Sequence, residues 1–310
     1  MSRPDAYSFE RYLAAKRTVD DRALHRPTLD RLSAGLAERA AESDGPISVL
    51  EVGAGIGTML RRLLSWNRLP DDVAYTAVDL DPGLIDAARE RLADWARERG
   101  YRTAPADGGF RLRRDGATVA VEFVAADAFD FAARVDGDRE WDALVACAFL
   151  DLVDLRPALS ALFPLVSPGG RCYFPITFDG ETRFEPVPDP AFERKLTDAY
   201  HATMDAPDRP GCSETGRKLP SAVGDCGGEV LASGRSDWVV EPPYPADEAY
   251  FLHHIVDTVE GAVADAIDAG DAAGIDRGDL RAWADDRHAA VERGELRYET
   301  RQIDLLGRVP

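Results

Sequence analysis

Three glycines at alternate positions, Gly53, Gly55 and Gly57, follow directly on the apolar run Ile47 to Val52. A short apolar run of this kind reads as a buried parallel strand, and Met59 to Ser65 reads as a helix. Between the two, the glycines allow a sharp turn and let the backbone approach a ligand where a Cβ would collide. The start of the helix offers unpaired N–H groups and the positive end of a dipole, which suits a ligand carrying a carboxylate or phosphate.

The spacing narrows the choice of ligand. A dinucleotide turn carries G-x-G-x-x-G, whereas here the third glycine comes one place early and Thr58 holds its position. Glu51 lies two residues before the first glycine, at the strand end, where a carboxylate can accept from an ammonium group. The stretch Glu51-Val52-Gly53-Ala54-Gly55-Ile56-Gly57 resembles motif I of the class I S-adenosylmethionine-dependent methyltransferases. That resemblance implies a three-layer α/β fold with a Rossmann-like seven-stranded sheet, and S-adenosylmethionine as cofactor. It also implies cofactor contacts from Glu51, Gly53, Ala54, Gly55 and Gly57.

The order of later segments agrees with it. Val73 to Asp79 reads as a second strand ending in an acid, and a carboxylate there can accept from both hydroxyls of a ribose. Asp79 is the better candidate than Asp81, which precedes Pro82 and opens the next helix. Asp115-Gly116 lies between two alternating segments over Phe110 to Val124, the signal of a hairpin. Its second arm ends at Asp127, where the family often sets an acid against the adenine amino group. A helix N-cap is the ordinary alternative for that aspartate. Leu80, Ala128 and Ala148 complete the cofactor contacts that the resemblance implies.

Asp142 to Ala148 is a fourth buried strand, and Ser167-Pro168-Gly169-Gly170 is a tight turn into a fifth, Arg171 to Phe178, which is expected to bend or end at Pro175. Pro157 to Phe163 reads as a short helix ended by Pro164. Methyltransferases of DNA adenine carry N/D-P-P-Y/F after the fourth strand. This chain has Cys147-Ala148-Phe149-Leu150, which disfavours that class, and Glu241-Pro242-Pro243-Tyr244 falls too far downstream to stand in.

The resemblance is specific over residues 46 to 178 and holds elsewhere only by order of elements. The expected organisation is a helical cap over 1–45 and a cofactor-binding core over 46–241, with an extra loop and helix at 179–215. A helical insertion over 242–293 and a last core strand over 294–310 complete it. In the cap, Ser8 to Ala15 and Pro27 to Ala41 read as helices. The charged stretch Lys16 to Arg22 between them is either a solvated linker or part of a lid, with Lys16, Arg17 or Arg26 meeting a carboxylate. Glu229 to Ala232 and Trp238 to Val240 read as the sixth strand.

Over Pro245 to Ile267, Phe251, Ile255, Val259 and Val263 recur at four-residue steps, widened by Leu252 and Val256, and form the face that packs on the core. Tyr250, His254 and Asp257 fall on roughly the opposite side. That side is either a solvated face or the roof of the substrate site, with His254 as base and Tyr250 as platform. Asp151, after the fourth strand, would then share the proton. These three, Asp151, Tyr250 and His254, are the candidate catalytic residues. A histidine suits proton transfer near neutrality because its unperturbed pKa is about 6.5.

A formal charge of −19 and a pI near 4.7 ordinarily argue against nucleic acid and anionic membranes as partners. Among 37 basic residues, however, only Lys16, Lys195 and Lys218 are lysine. Such a surface resembles that of proteins from salt-adapted cytoplasm. The four cysteines show no C-x-x-C pair and the five histidines no H-x-x-x-H, so reduced core thiols and metal independence are expected. Met1 to Tyr7 lacks an apolar stretch and no run approaches about 18 apolar residues, which points to a soluble cytoplasmic chain. The reading reached is methyl transfer to the O, N or S of a small molecule. Its rivals are an RNA or protein methyltransferase, a non-catalytic cofactor-binding regulator and, more remotely, a dehydrogenase.

Overall fold

A computed structural model describes residues 2–4, 6–135, 137, 139–272 and 274–310. The strand predicted before the glycine turn is β1, Ile47–Val52, and its neighbours are β2, Asp72–Asp79, and β6, Trp141–Val145, both parallel to it. Beyond β2 lies β5, Ala117–Ala125, and beyond β6 lies β7, Val166–Glu185, again parallel. On the far side of β7 the sheet turns antiparallel. There β10, Arg297–Arg308, lies between β7 and β8, Glu229–Arg235. These strands follow the order that the resemblance implies. The sheet has ten strands rather than seven, because β3, Arg102–Ala106, and β4, Gly109–Arg114, extend it past β5, and β9, Trp238–Val240, pairs with β10. The sixth strand expected from sequence is thus broken into β8 and β9, which lie along the same strand at different heights.

Successive strand residues point to opposite faces, so Val49 and Leu50 belong to separate apolar layers. One layer is covered by α3, Arg26–Glu42, α4, Thr58–Ser65, and α5, Pro82–Glu98, through Leu29, Leu32, Leu63 and Leu92. The other is covered by α6, Ala128–Val135, α7, Leu155–Leu162, and α9, Thr215–Asp225, through Phe131, Leu159 and Val223. A sheet buried on both sides accounts for the uninterrupted apolar runs of β1 and β6.

Two open alternatives are settled and one expectation changes. Residues 16–22 are no linker: α1, Phe9–Ala15, and α2, Arg17–Ala23, follow each other closely, and Asp20 is buried. At Pro175 the strand bends, as one of the two expectations had it, and continues. Pro175 lacks an N–H to give, but its carbonyl accepts from Ala148, and Ile176 absorbs the bend at φ 57° while its N–H meets Asp304. The helix expected within 179–215 is α8, Pro190–Met204, fifteen residues long. The residues between β9 and β10 form α10, Glu248–Ala269, and α11, Arg277–Arg293. None of the helices among the described residues is long and apolar enough to cross a membrane.

Candidate active site

Gly53, Gly55 and Gly57 take φ of 65°, 54° and 73°, the left-handed region that a side chain disfavours. A Cβ on Gly53 would stand 2.7 Å from the ring of Phe149, and one on Gly55 3.2 Å from Leu13 of α1. The turn therefore opens on a cleft of about 340 Å³ at the carboxyl ends of β1, β2, β5 and β6, beneath α1 and α2. Glu51, Gly53, Ala54, Gly55, Asp79, Leu80, Asp127, Ala128 and Ala148 all line it. Gly57 does not. It caps α4 outside the cleft, where a Cβ would lie 3.3 Å from that of Ala88.

Each carboxylate is held differently. Asp79 accepts from the N–H of Gly55 at 2.7 Å and of Asp81 at 3.0 Å, which fixes it across the glycine turn. Asp127 caps α6 through Oδ1, which accepts from Phe129 and Asp130, as the ordinary alternative had it. Its Oδ2 has no hydrogen-bond partner among the described residues, so capping leaves it an oxygen for a ligand. Glu51 is buried and its carboxyl is pushed up to about 8. Burial is the main cause, and the Tyr75 hydroxyl and the charge of Arg62 pull the other way.

Two cations line the cleft. Lys16, at the junction of α1 and α2, stands 3.6 Å from Asp20. Arg62, from α4, stands 3.7 Å from Asp20 and gives Nε to Asp21 at 2.7 Å. Burial is the largest influence on Lys16 and favours the neutral form, yet Asp20, Tyr12 and Cys147 together outweigh it and hold the ammonium charged. The Nη2 group of Arg62 is buried with no hydrogen-bond partner. Arg17 pairs with Asp21, and Arg26 lies 3.6 Å over the ring of Trp66, both off the cleft lining. Sequence reasoning passed over Arg62, since nothing in Arg61-Arg62 says which side chain turns inward.

Asp151 sits in a 3-10 turn after β6, beside Phe149, Leu152 and Val153 of the lining. Its Oδ1 is enclosed and unpartnered, and burial pushes the carboxyl up to about 6 against the pull of its own backbone N–H and Lys16. The structure does not bring Tyr250 or His254 into the cleft. Tyr250 is buried under α1, where its hydroxyl meets the N–H of Ser8 at 2.7 Å and the guanidinium of Arg11 lies 4.0 Å over its ring. His254 stacks 4.2 Å from the ring of Tyr12. The side of α10 opposite its apolar face is thus neither solvated nor a roof. It is the seat of the first helix.

All four cysteines are free, and Cys147 lines the cleft, with its thiol pushed up to about 12 by burial. Asp257, Glu260 and His288 come together at a spacing the sequence conceals, and Arg3 pairs with both acids there, at 2.7 and 3.8 Å.

The model of the methyltransferase domain family matches residues 50–172. Among solved structures, a cyclopropane synthase of Mycobacterium tuberculosis is similar over 98% of this chain and 100% of its own, with 11% identity and a TM-score of 0.45. An S-adenosylmethionine-dependent methyltransferase of Geobacter sulfurreducens, in complex with S-adenosylhomocysteine, is similar over 93% of this chain and 92% of its own, with 15% identity and a TM-score of 0.42. No curated protein matches the sequence. The matched segment runs from β1 to the start of β7 and carries the strand ends that frame the cleft, so this part of the chain is similar to a methyltransferase domain.

Proposed function

We propose that the chain transfers the methyl group of S-adenosylmethionine to an O, N or S nucleophile of a small molecule. The observation that carries the small-molecule reading is the roof. Helices α1 and α2 close over a cleft of about 340 Å³, within the range of about 300–1,000 Å³ typical of small-ligand pockets. Among the described lining residues the cations are Lys16 and Arg62, both turned inward to Asp20, and the exposed rim is apolar. A nucleic acid would call for arginines on an open rim.

The cleft's own groups fit the cofactor. Glu51 accepts from its ammonium, Arg62 offers the unmet Nη2 to its carboxylate, Asp79 accepts from the ribose hydroxyls, and Leu80, Asp127 and Ala128 hold the adenine. Gly53, Ala54, Gly55 and Ala148 bring backbone against it. Bound there, the sulfonium supplies an already activated methyl group, so the protein contributes mainly position and the exclusion of water. Asp151 is the group at hand to take a proton where the nucleophile carries one.

Calorimetric titration with S-adenosylmethionine, S-adenosylhomocysteine and NAD tests the reading. Binding of the first two and not the third is expected, and binding of NAD alone would overturn it.

A further inference from the structure

A second hollow, of about 210 Å³, lies across the glycine turn from the cofactor cleft. Several pieces of chain wall it: Ala14 of α1, Arg17 of α2, Thr58 and Arg61 of α4, and Arg91 of α5. Three of these are arginines, and none of the described lining residues is an acid. In a chain with 56 acidic and 37 basic residues, such a wall is out of keeping with the rest. The acids beside it are engaged. Asp21 receives Nη1 of Arg17 at 3.0 Å on one oxygen and Nε of Arg62 at 2.7 Å on the other. Glu10 receives Arg91 at 2.7 Å. Arg61 is left with no hydrogen bond, ion pair or ring contact among the described residues. It is partly buried, and burial, with the charges of Arg17, Arg62 and Arg91, lowers its pKa from the usual value against the pull of Asp21. Beside it α4 begins without a side-chain cap, and the N–H of Thr58 has no partner among the described residues.

We infer that this hollow binds the phosphate group of a small molecule, or free phosphate, between Arg17, Arg61 and Arg91, and that its occupant fastens α1 and α2 to the core. Like charges gathered in one hollow repel, and an anion among them turns that cost into attraction. Phosphate suits the place better than a carboxylate, because it has acceptor oxygens enough for three guanidinium forks and a backbone N–H. A nucleic acid would need basic residues spread along a surface, whereas these three converge on one small space. Ile56 and Thr58 line both this hollow and the cofactor cleft, so the two occupants would lie on either side of one turn. Ala14 and Arg17 belong to the helices that roof the cleft, and a ligand held from both sides ties that roof down. The site stands apart from the proposed function, and only its coupling to the cofactor rests on that reading.

The test is calorimetric titration of the full chain with inorganic phosphate at constant ionic strength, with chloride as the balancing anion. Saturable binding at one site is expected, weakened at least about tenfold in Arg61→Gln, the usual worth of a hydrogen bond between charged groups. Arg97→Gln, which removes an exposed arginine of α5 paired with Asp94, should leave it unchanged. If Arg61→Gln does not fold, Arg91→Gln carries the same expectation. Phenyl phosphate distinguishes the two sources: tighter binding than inorganic phosphate assigns the hollow to an organic ester, and binding no tighter assigns it to the free ion. Phosphate should also tighten S-adenosylhomocysteine binding about fivefold or more, and Arg61→Gln should lose that gain. Absence of saturable binding, or equal binding by Arg61→Gln, would overturn the site, and unchanged S-adenosylhomocysteine affinity would overturn the fastening. A chain that takes up S-adenosylhomocysteine and no phosphate loses this inference alone. One that takes up phosphate and no S-adenosylhomocysteine keeps the site and loses the proposed function.

Discussion

The hydroxyl of Tyr75 donates a 2.6 Å hydrogen bond to Oε2 of Glu51, from β2 to the end of β1. The pair is buried, and burial holds the Glu51 carboxyl protonated up to about 8. An ammonium group seated against it would favour the ionised form, so cofactor binding at pH 7 should release close to one proton. Titrations in two buffers of different ionisation heat would measure this, and the release should vanish in Glu51→Gln. The same group bears on stability. Above about pH 4.5 the unfolded chain gives up this proton and the folded chain keeps it until about 8, so Glu51 costs stability progressively as pH rises through that window. Glu51→Gln should unfold at a higher temperature than the unaltered chain at pH 8, and at the same temperature at pH 4.

Asp79 and Gly55 are joined by the 2.7 Å bond across the glycine turn. Asp79→Ala removes a ribose acceptor and leaves the Gly55 N–H unmet, and it should weaken S-adenosylhomocysteine binding by about 1–3 kcal/mol. Gly55→Val forces a branched residue to φ 54° and sets its Cβ 3.2 Å from Leu13. Its titration should show no binding. Unchanged affinity in both variants would remove the motif from the site.

Helix α1 is fastened to α10 by the Tyr250–Ser8 hydrogen bond and by Arg11, whose Nε lies 2.8 Å from Asp247. Tyr250→Phe should lower unfolding free energy by about 1 kcal/mol and expose residues 8–15 to protease sooner than the sheet. His254→Ala removes the ring stacked on Tyr12 and should expose α1 to protease sooner while leaving cofactor affinity intact. If His254→Ala weakens the cofactor as much as Asp79→Ala does, the stacking on Tyr12 serves a different end.

The surface charge makes a separate claim. With a net charge of −19, screening by salt relieves self-repulsion, so the unfolding temperature should climb with KCl into the molar range. A maximum in low salt would turn the acidity back into a clue to a cationic partner.

The glycine turn, the strand-end acids and the strand order were legible because each is a local pattern. Gly53 must be glycine for its φ, and Val73, Ala77 and Val78 must be apolar because both faces of the sheet are covered. What escaped depends on distant chain. The stretch Lys16 to Arg22 looks solvated until Arg62, some forty residues on, arrives to share Asp20 and Asp21. His254 falls on the polar side of α10 by period, and it is covered by the docking of Tyr7 and Tyr12. Strand β3, Arg102–Ala106, is largely exposed, so it carries no alternation to read.

The place of β10 between β7 and β8 has a consequence for how the protein is made. Residues 297–308 pair with residues 171–185 on one side and 229–235 on the other. Until the ribosome has released that segment, β7 and β8 have no common neighbour, and more than a hundred residues wait with sheet edges bare. Such edges invite other chains. The parallel half, by contrast, is complete in sequence by β7 and can condense first. During synthesis the strand ends of the cleft are therefore in place in sequence long before the sheet can be finished, and the like charge of a carboxylate-rich surface opposes pairing between copies at that stage.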